Sequence, residues 1–149
     1  MRFRRLDLIR YGIFTDRSLD LPTGDADFHL ICGPNEAGKS TSRNAIDDLL
    51  FGFGTRTRYG FRHDMSSLRV GAELEHDDQS LAFQRKKGNK DTLRDPNDEV
   101  LPDSSLNLYL SNADRGFFGR MFSLDHERLR LGGQEILEAK DEVGRMLFE

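Results

Sequence analysis

The run Gly33-Pro34-Asn35-Glu36-Ala37-Gly38-Lys39-Ser40-Thr41 constrains this chain more than any other stretch, because it satisfies G-x-x-x-x-G-K-[ST] at every fixed position. Such a loop works only between a strand and a helix. Phe28-His29-Leu30-Ile31-Cys32 before it reads as a short buried strand, and Ala45, Ile46, Leu49, Leu50 and Phe53 after it recur at helical spacing. The glycines, Gly33 and Gly38, permit backbone angles and close approaches that a Cβ would obstruct. Consecutive N–H groups of Pro34–Thr41 other than the proline can then converge on phosphate oxygens at a helix N-terminus. Lys39 adds an ammonium to the same oxygens. Ser40 is the expected hydroxyl ligand of Mg²⁺, an ion that takes few protein ligands. Thr41, one residue further round, is expected to pack locally. The pattern implies a nucleoside triphosphate as ligand.

With 149 residues the chain is long enough for one core, and 36% hydrophobic against 32% charged residues suits a globular domain. No apolar run approaches a membrane span, and Met1-Arg2-Phe3-Arg4-Arg5-Leu6-Asp7 lacks the apolar stretch of a signal peptide, so a cytoplasmic location is expected. The single cysteine, Cys32, excludes an intrachain disulfide and is expected at the buried end of its strand. A net charge of −4 gives no global attraction to polyanions. Basic residues nonetheless cluster: Arg56, Arg58 and Arg62 follow the first helix, and Arg85, Lys86, Lys87 and Lys90 crowd a turn. Each group, taken alone, reads first as a solvated loop and second as a contact for a phosphate backbone such as that of DNA.

Phe3, Leu6 and Leu8 give a strand before the turn Tyr11-Gly12, and Leu19 and Leu21 a second before Pro22-Thr23-Gly24-Asp25. Residues 55–67 are polar and irregular. Period-two alternation over 68–75 and 80–85 predicts an antiparallel hairpin at about 68–87 with one wet face. A short strand is expected around Val100-Leu101, and from Asp103 onward the texture is helical to residue 149, with a break near Asn112. Ile136, Val143, Met146 and Leu147 form one stripe of a final amphipathic helix, a candidate surface for self-association.

A complete triphosphatase also needs an acidic residue at the end of an apolar strand and a group that orients water. Met121-Phe122-Ser123-Leu124-Asp125 is the best candidate for the first, interrupted by a serine. Guanine specificity is unsupported, since Asn89-Lys90-Asp91-Thr92 ends in threonine where N-K-x-D needs aspartate. Gly132-Gly133-Gln134 resembles the end of an L-S-G-G-Q signature, but Leu131 stands where the serine belongs. Two other classes fit the loop or the charges: a compact kinase of a nucleotide or small molecule, and a noncatalytic DNA-binding or scaffold module.

Leu8-Ile9-Arg10-Tyr11-Gly12-Ile13-Phe14, Leu19-Asp20-Leu21 and the phosphate loop resemble the start of the SMC, RecF and SbcC group of ABC-type ATPases. Leu50-Phe51-Gly52-Phe53, Tyr59-Gly60-Phe61-Arg62-His63-Asp64, Leu68-Arg69-Val70-Gly71-Ala72 and the run Met121 to Leu129 are similar to the bacterial YhaN-like subfamily. The resemblance covers nearly the whole chain. It implies an α/β fold, the N-terminal lobe (residues 1–149) of a split P-loop ATPase head, with a mixed sheet, an antiparallel layer and C-terminal helices. It implies ATP and Mg²⁺ as ligands, a C-terminal lobe that completes the site, head-to-head homodimers, DNA as substrate in repair or chromosome maintenance, and a nuclease as a further partner. It aligns the glutamine that relatives use to hold Mg²⁺ and water near Asp125 or His126, neither of which is Gln. Relatives also place an arginine just after their first strand, and Arg10 lies two positions early. By this reading the chain alone turns ATP over poorly.

Overall fold

The computed structural model describes residues 1–22, 24, 28–77, 79–123 and 129–130. It divides into a unit Met1–Ala113 and a unit Asp114–Glu149.

Alternation over β1 (Arg2–Tyr11) sends Leu6 and Leu8 inward, and a register shift between Asp7 and Arg10 brings Tyr11 to the same side, each all but fully buried. The chain reverses at Gly12-Ile13, with Gly12 at φ +60° in the first turn position, and Tyr11 pairs with Phe14 at the start of β2 (Phe14–Asp20). β3 (Arg69–His76) and β4 (Gln79–Lys86) form the hairpin that the alternation around 68–87 predicts, and β5 (Leu93–Arg94) adds a short edge. The order is β2-β1-β3-β4-β5, with every neighbouring pair antiparallel. The β1–β3 register shifts twice, between Phe3 and Arg5 and between Asp7 and Arg10.

One face of this sheet carries α1 (Lys39–Phe51), which packs on β1, β3 and β4. Ala45, Leu49 and Leu50 from the helix meet Leu6, Leu8, Val70, Ala72, Leu74 and Phe83 in the core. A 3₁₀ turn at Asp103–Leu106 leads into α2 (Asn107–Leu110), which contributes the buried Leu106 and Tyr109 and rests on β3. Polar side chains hold the opposite face: Ser18 Oγ donates to Asp7 at 2.6 Å, Arg5 Nε to the same carboxylate at 3.0 Å, and Arg4 pairs with Glu75 at 2.6 Å. The hairpin therefore has the wet face expected of an antiparallel sheet. In the second unit, α3 (Arg115–Met121) is capped by the Asp114 carboxylate, which accepts from Phe117 N at 2.6 Å.

Four expectations are corrected. The sheet is antiparallel throughout, not mixed, and Phe28–Cys32 is not a strand: none of the five strands pairs with it, so its backbone has no ladder to join. Phe28, Leu30 and Ile31 are 86%, 76% and 47% exposed, and Cys32 is exposed as well rather than buried. The expected strand near Val100-Leu101 reduces to one bridge between Arg94 and Val100, with β5 taking its place because Leu93 is the residue that reaches the core. The final helix and its stripe, Ile136 to Leu147, lie outside the described residues.

Candidate phosphate-binding site

The loop between the apolar segment and α1 has the local features that its sequence demands. Ala37 N donates to Pro34 O at 3.3 Å, closing a turn, and Gly38 N-caps α1 at φ +92°, ψ 15°. A Cβ on Gly38 would stand 2.3 Å from Phe14 Cζ and 3.1 Å from Ile13 Cδ1. Glycine is thus required twice, by the left-handed backbone and by the side chains of the β1–β2 turn packed beneath it. Lys39 opens the helix, and its Nζ donates to Gly33 O at 2.9 Å and Pro34 O at 2.7 Å, which keeps the ammonium at the mouth of the loop. Ser40 lies exposed in the first turn, where its hydroxyl is open to a ligand. Thr41 packs locally as expected: its Cγ2 lies 2.7 Å from where a Cβ on Gly12 would be. Asn35, Glu36 and Ala37 are exposed around the loop.

The segment after α1 returns along the helix and is tied at both ends. At the far end Lys87 Nζ donates to Gly54 O at 2.8 Å and Thr55 O at 3.1 Å. At the loop end Gly12 N donates to Tyr59 O at 2.8 Å, Arg62 Nη1 to Ile13 O at 3.1 Å and His63 Nε2 to Phe14 O at 2.8 Å. Arg62 and His63 therefore brace the turn whose Ile13 and Phe14 support Gly38, a role that nothing in their local sequence signals. Beneath them the Tyr11 ring stacks on Tyr59 at 4.6 Å, and its hydroxyl donates to Asp48 at 2.8 Å. Burial first, and the Asp48 carboxylate second, push the Tyr11 phenol far up from its ordinary value, so it stays a neutral donor.

Arg85 is another residue whose place the sequence hides. Grouped there with solvated lysines, it is 3% exposed, and its guanidinium donates to Leu49 O at 2.6 Å and Leu50 O at 3.3 Å in the last turn of α1. It also reaches Thr92 Oγ1 at 3.0 Å and Asp103 at 2.8 Å. It is therefore not a surface contact for phosphate. Arg10 stays on the exposed side of β1, paired in register with Thr15 and Arg69. Asp125 and His126 lie outside the described residues.

The donor set fits a polyphosphate with Mg²⁺: a helix N-terminus, loop amides, an ammonium and a serine hydroxyl on one short stretch of backbone. Among the described residues no group of three or more His, Cys, Asp or Glu is placed to hold a metal by itself. Nor does any described helix have the length and apolarity to cross a membrane.

An antiparallel sheet supporting a glycine-capped helix behind a phosphate loop is consistent with a P-loop NTPase lobe, and residues 1–149 match the AAA domain family, to which the chain belongs. Membership implies nucleotide binding, generally with Mg²⁺. The chain is 29% identical over 153 aligned residues to the uncharacterised protein YhaN of Bacillus subtilis (strain 168), a match that covers 99% of this chain and 15% of that protein. The resemblance to YhaN is therefore shown over nearly the whole chain, and the chain spans well under a fifth of the relative that it matches.

Proposed function

We propose that this chain is the ATP-binding lobe of an SMC- or SbcC-like ATPase head, with Mg-ATP held by residues 33–41. The observation that carries the reading is the Gly38–Lys39 junction, where a left-handed glycine cap, an ammonium and the N-terminus of α1 converge. Bound nucleotide would supply a phosphoanhydride bond, while the chain's own groups bind and orient it: Lys39 and the loop amides on the phosphates, Ser40 on the ion. Asp125 or His126 is proposed as a further contact to metal-bound water. Calorimetry with Mg-ATP tests the reading. Lys39→Ala should weaken binding by about 1.5–3 kcal/mol, the range for a hydrogen bond to a charged group, without unfolding the chain, because the side chain is exposed. Equal affinities in variant and wild type would remove it.

The exposed Phe28, Leu30 and Ile31 support the second half of the proposal, that the site is completed by another lobe. Apolar side chains next to unladdered backbone make a segment suited to pairing with strands from elsewhere. The proposed partner is the C-terminal lobe of the same head, and the completed heads pair and act on DNA in repair or chromosome maintenance. DNA is proposed to meet the basic segments that Lys87 ties together, through its bonds to Gly54 O and Thr55 O: Arg56 and Arg58 on one, Lys86 and Lys90 on the other. The chain by itself should hydrolyse ATP near background. Adding the C-terminal lobe should restore turnover, and adding duplex DNA should raise it further in a salt-sensitive way. Full activity from the chain alone would overturn the two-lobe reading, and turnover indifferent to DNA would remove the DNA role.

A further inference from the structure

The phosphate loop contains one residue that opposes its ligand. Among the described residues seven non-glycine positions have positive φ: Asp16, Glu36, Asp77, Asp91, Asp98, Ser111 and Asn112. Six are Asp, Asn or Ser, whose short polar side chains bond locally and tolerate the left-handed region. Glu36, at φ +65°, is the exception. Its side chain has no such local device, and its carboxylate is exposed, with no ion pair or hydrogen bond to another described residue. Glycine would relieve the backbone at no steric cost.

The charge opposes function as well. Within residues 33–46 Glu36 is the one carboxylate, and the first turn of α1 carries none. Every other charged or dipolar group there, namely Lys39, Arg43 and the open end of α1, favours an anion. Glu36 stands three residues before Lys39 in a loop closed by the Pro34–Ala37 hydrogen bond, so an exposed carboxylate and the ammonium share one short stretch of backbone. At separations of about 6–10 Å a full negative charge and a polyphosphate repel appreciably even in a medium close to water.

We propose that Glu36 is an electrostatic brake on the phosphate loop: it holds the affinity for nucleoside triphosphates low, and disfavours them relative to diphosphates in proportion to their extra charge. The inference rests on the reading that this loop binds a nucleotide. A braked loop releases nucleotide readily and depends on a second surface to retain it.

Isothermal calorimetry on the chain, with Mg-ATP and Mg-ADP as ligands, provides the test. Glu36→Gln, which removes the charge and keeps the backbone demand, should bind Mg-ATP about three- to ten-fold more tightly at 50 mM salt, with a smaller gain for Mg-ADP. The gain should shrink toward unity near 1 M salt, where the screening length falls to about 3 Å. Glu36→Gly should show the same gain and also a raised melting temperature without nucleotide, whereas Glu36→Gln should not. Unchanged or weaker Mg-ATP binding by Glu36→Gln overturns the brake, the second outcome indicating a carboxylate that recruits the cation instead. Binding that Lys39→Ala weakens but Glu36→Gln leaves alone removes this inference and spares the site. A wild type that binds neither ligand removes both.

Discussion

Gly38→Ala is expected to abolish measurable Mg-ATP binding and to destabilise the Met1–Ala113 unit by roughly 2–5 kcal/mol. The estimate adds a left-handed backbone penalty of about 1–2 kcal/mol to an overpacking term of about 1–3 kcal/mol. Both arise at one atom, since the new methyl would need φ +92° and would stand 2.3 Å from the Phe14 ring. The two terms can be separated. Gly38→Ala combined with Phe14→Ala removes the clash and retains the backbone penalty, so stability relative to Phe14→Ala alone should fall by only about 1–2 kcal/mol while nucleotide binding stays lost. Urea unfolding and calorimetry on the four chains make the comparison. A Gly38→Ala protein with wild-type affinity would show that the loop does not use this cap to bind phosphate.

Arg85→Ala should be the most damaging substitution outside the loop, lowering stability by about 2–4 kcal/mol, because it leaves two buried carbonyls at the end of α1 without their donor. Asp103→Ala is the informative control. That carboxylate is 76% exposed, so its removal should cost no more than about 1 kcal/mol although it touches the same guanidinium. The 13 residues of α1 place Arg85 about 20 Å from the phosphate end of the helix. Arg85→Ala protein that remains folded at low temperature should therefore keep most of its affinity for Mg-ATP. Loss of affinity with unchanged stability would reverse the assignment and make Arg85 part of the site.

The sequence was most legible where a signal is local. The loop, the helix after it and the β3–β4 hairpin each follow from spacing within about ten residues, because the period of apolar side chains reports directly on a single face. The first turn was readable at Gly12 for a similar reason: a two-residue reversal needs a residue that accepts positive φ. Arg85 defeated the same approach. Its neighbours Lys86 and Lys87 are cationic and half-exposed, and only its inward register on β4, opposite Val70, commits it to the core.

The 28–32 segment shows the division most clearly. Its composition is that of a buried strand, yet burial and strand structure are properties of a pair, and no described strand lies beside it. What the sequence by itself determined is the phosphate-loop pattern of residues 33–41 and the helix that follows it, since the glycines, lysine and serine must fall at fixed steps along one short stretch of backbone. Tertiary structure alone decided that the sheet is antiparallel throughout, that Phe14 and Ile13 support Gly38, and that Lys87 joins two distant basic segments. Those outcomes depend on which surfaces meet across tens of residues, and hydrogen-bond pairing and burial assign them only when the partner is in place.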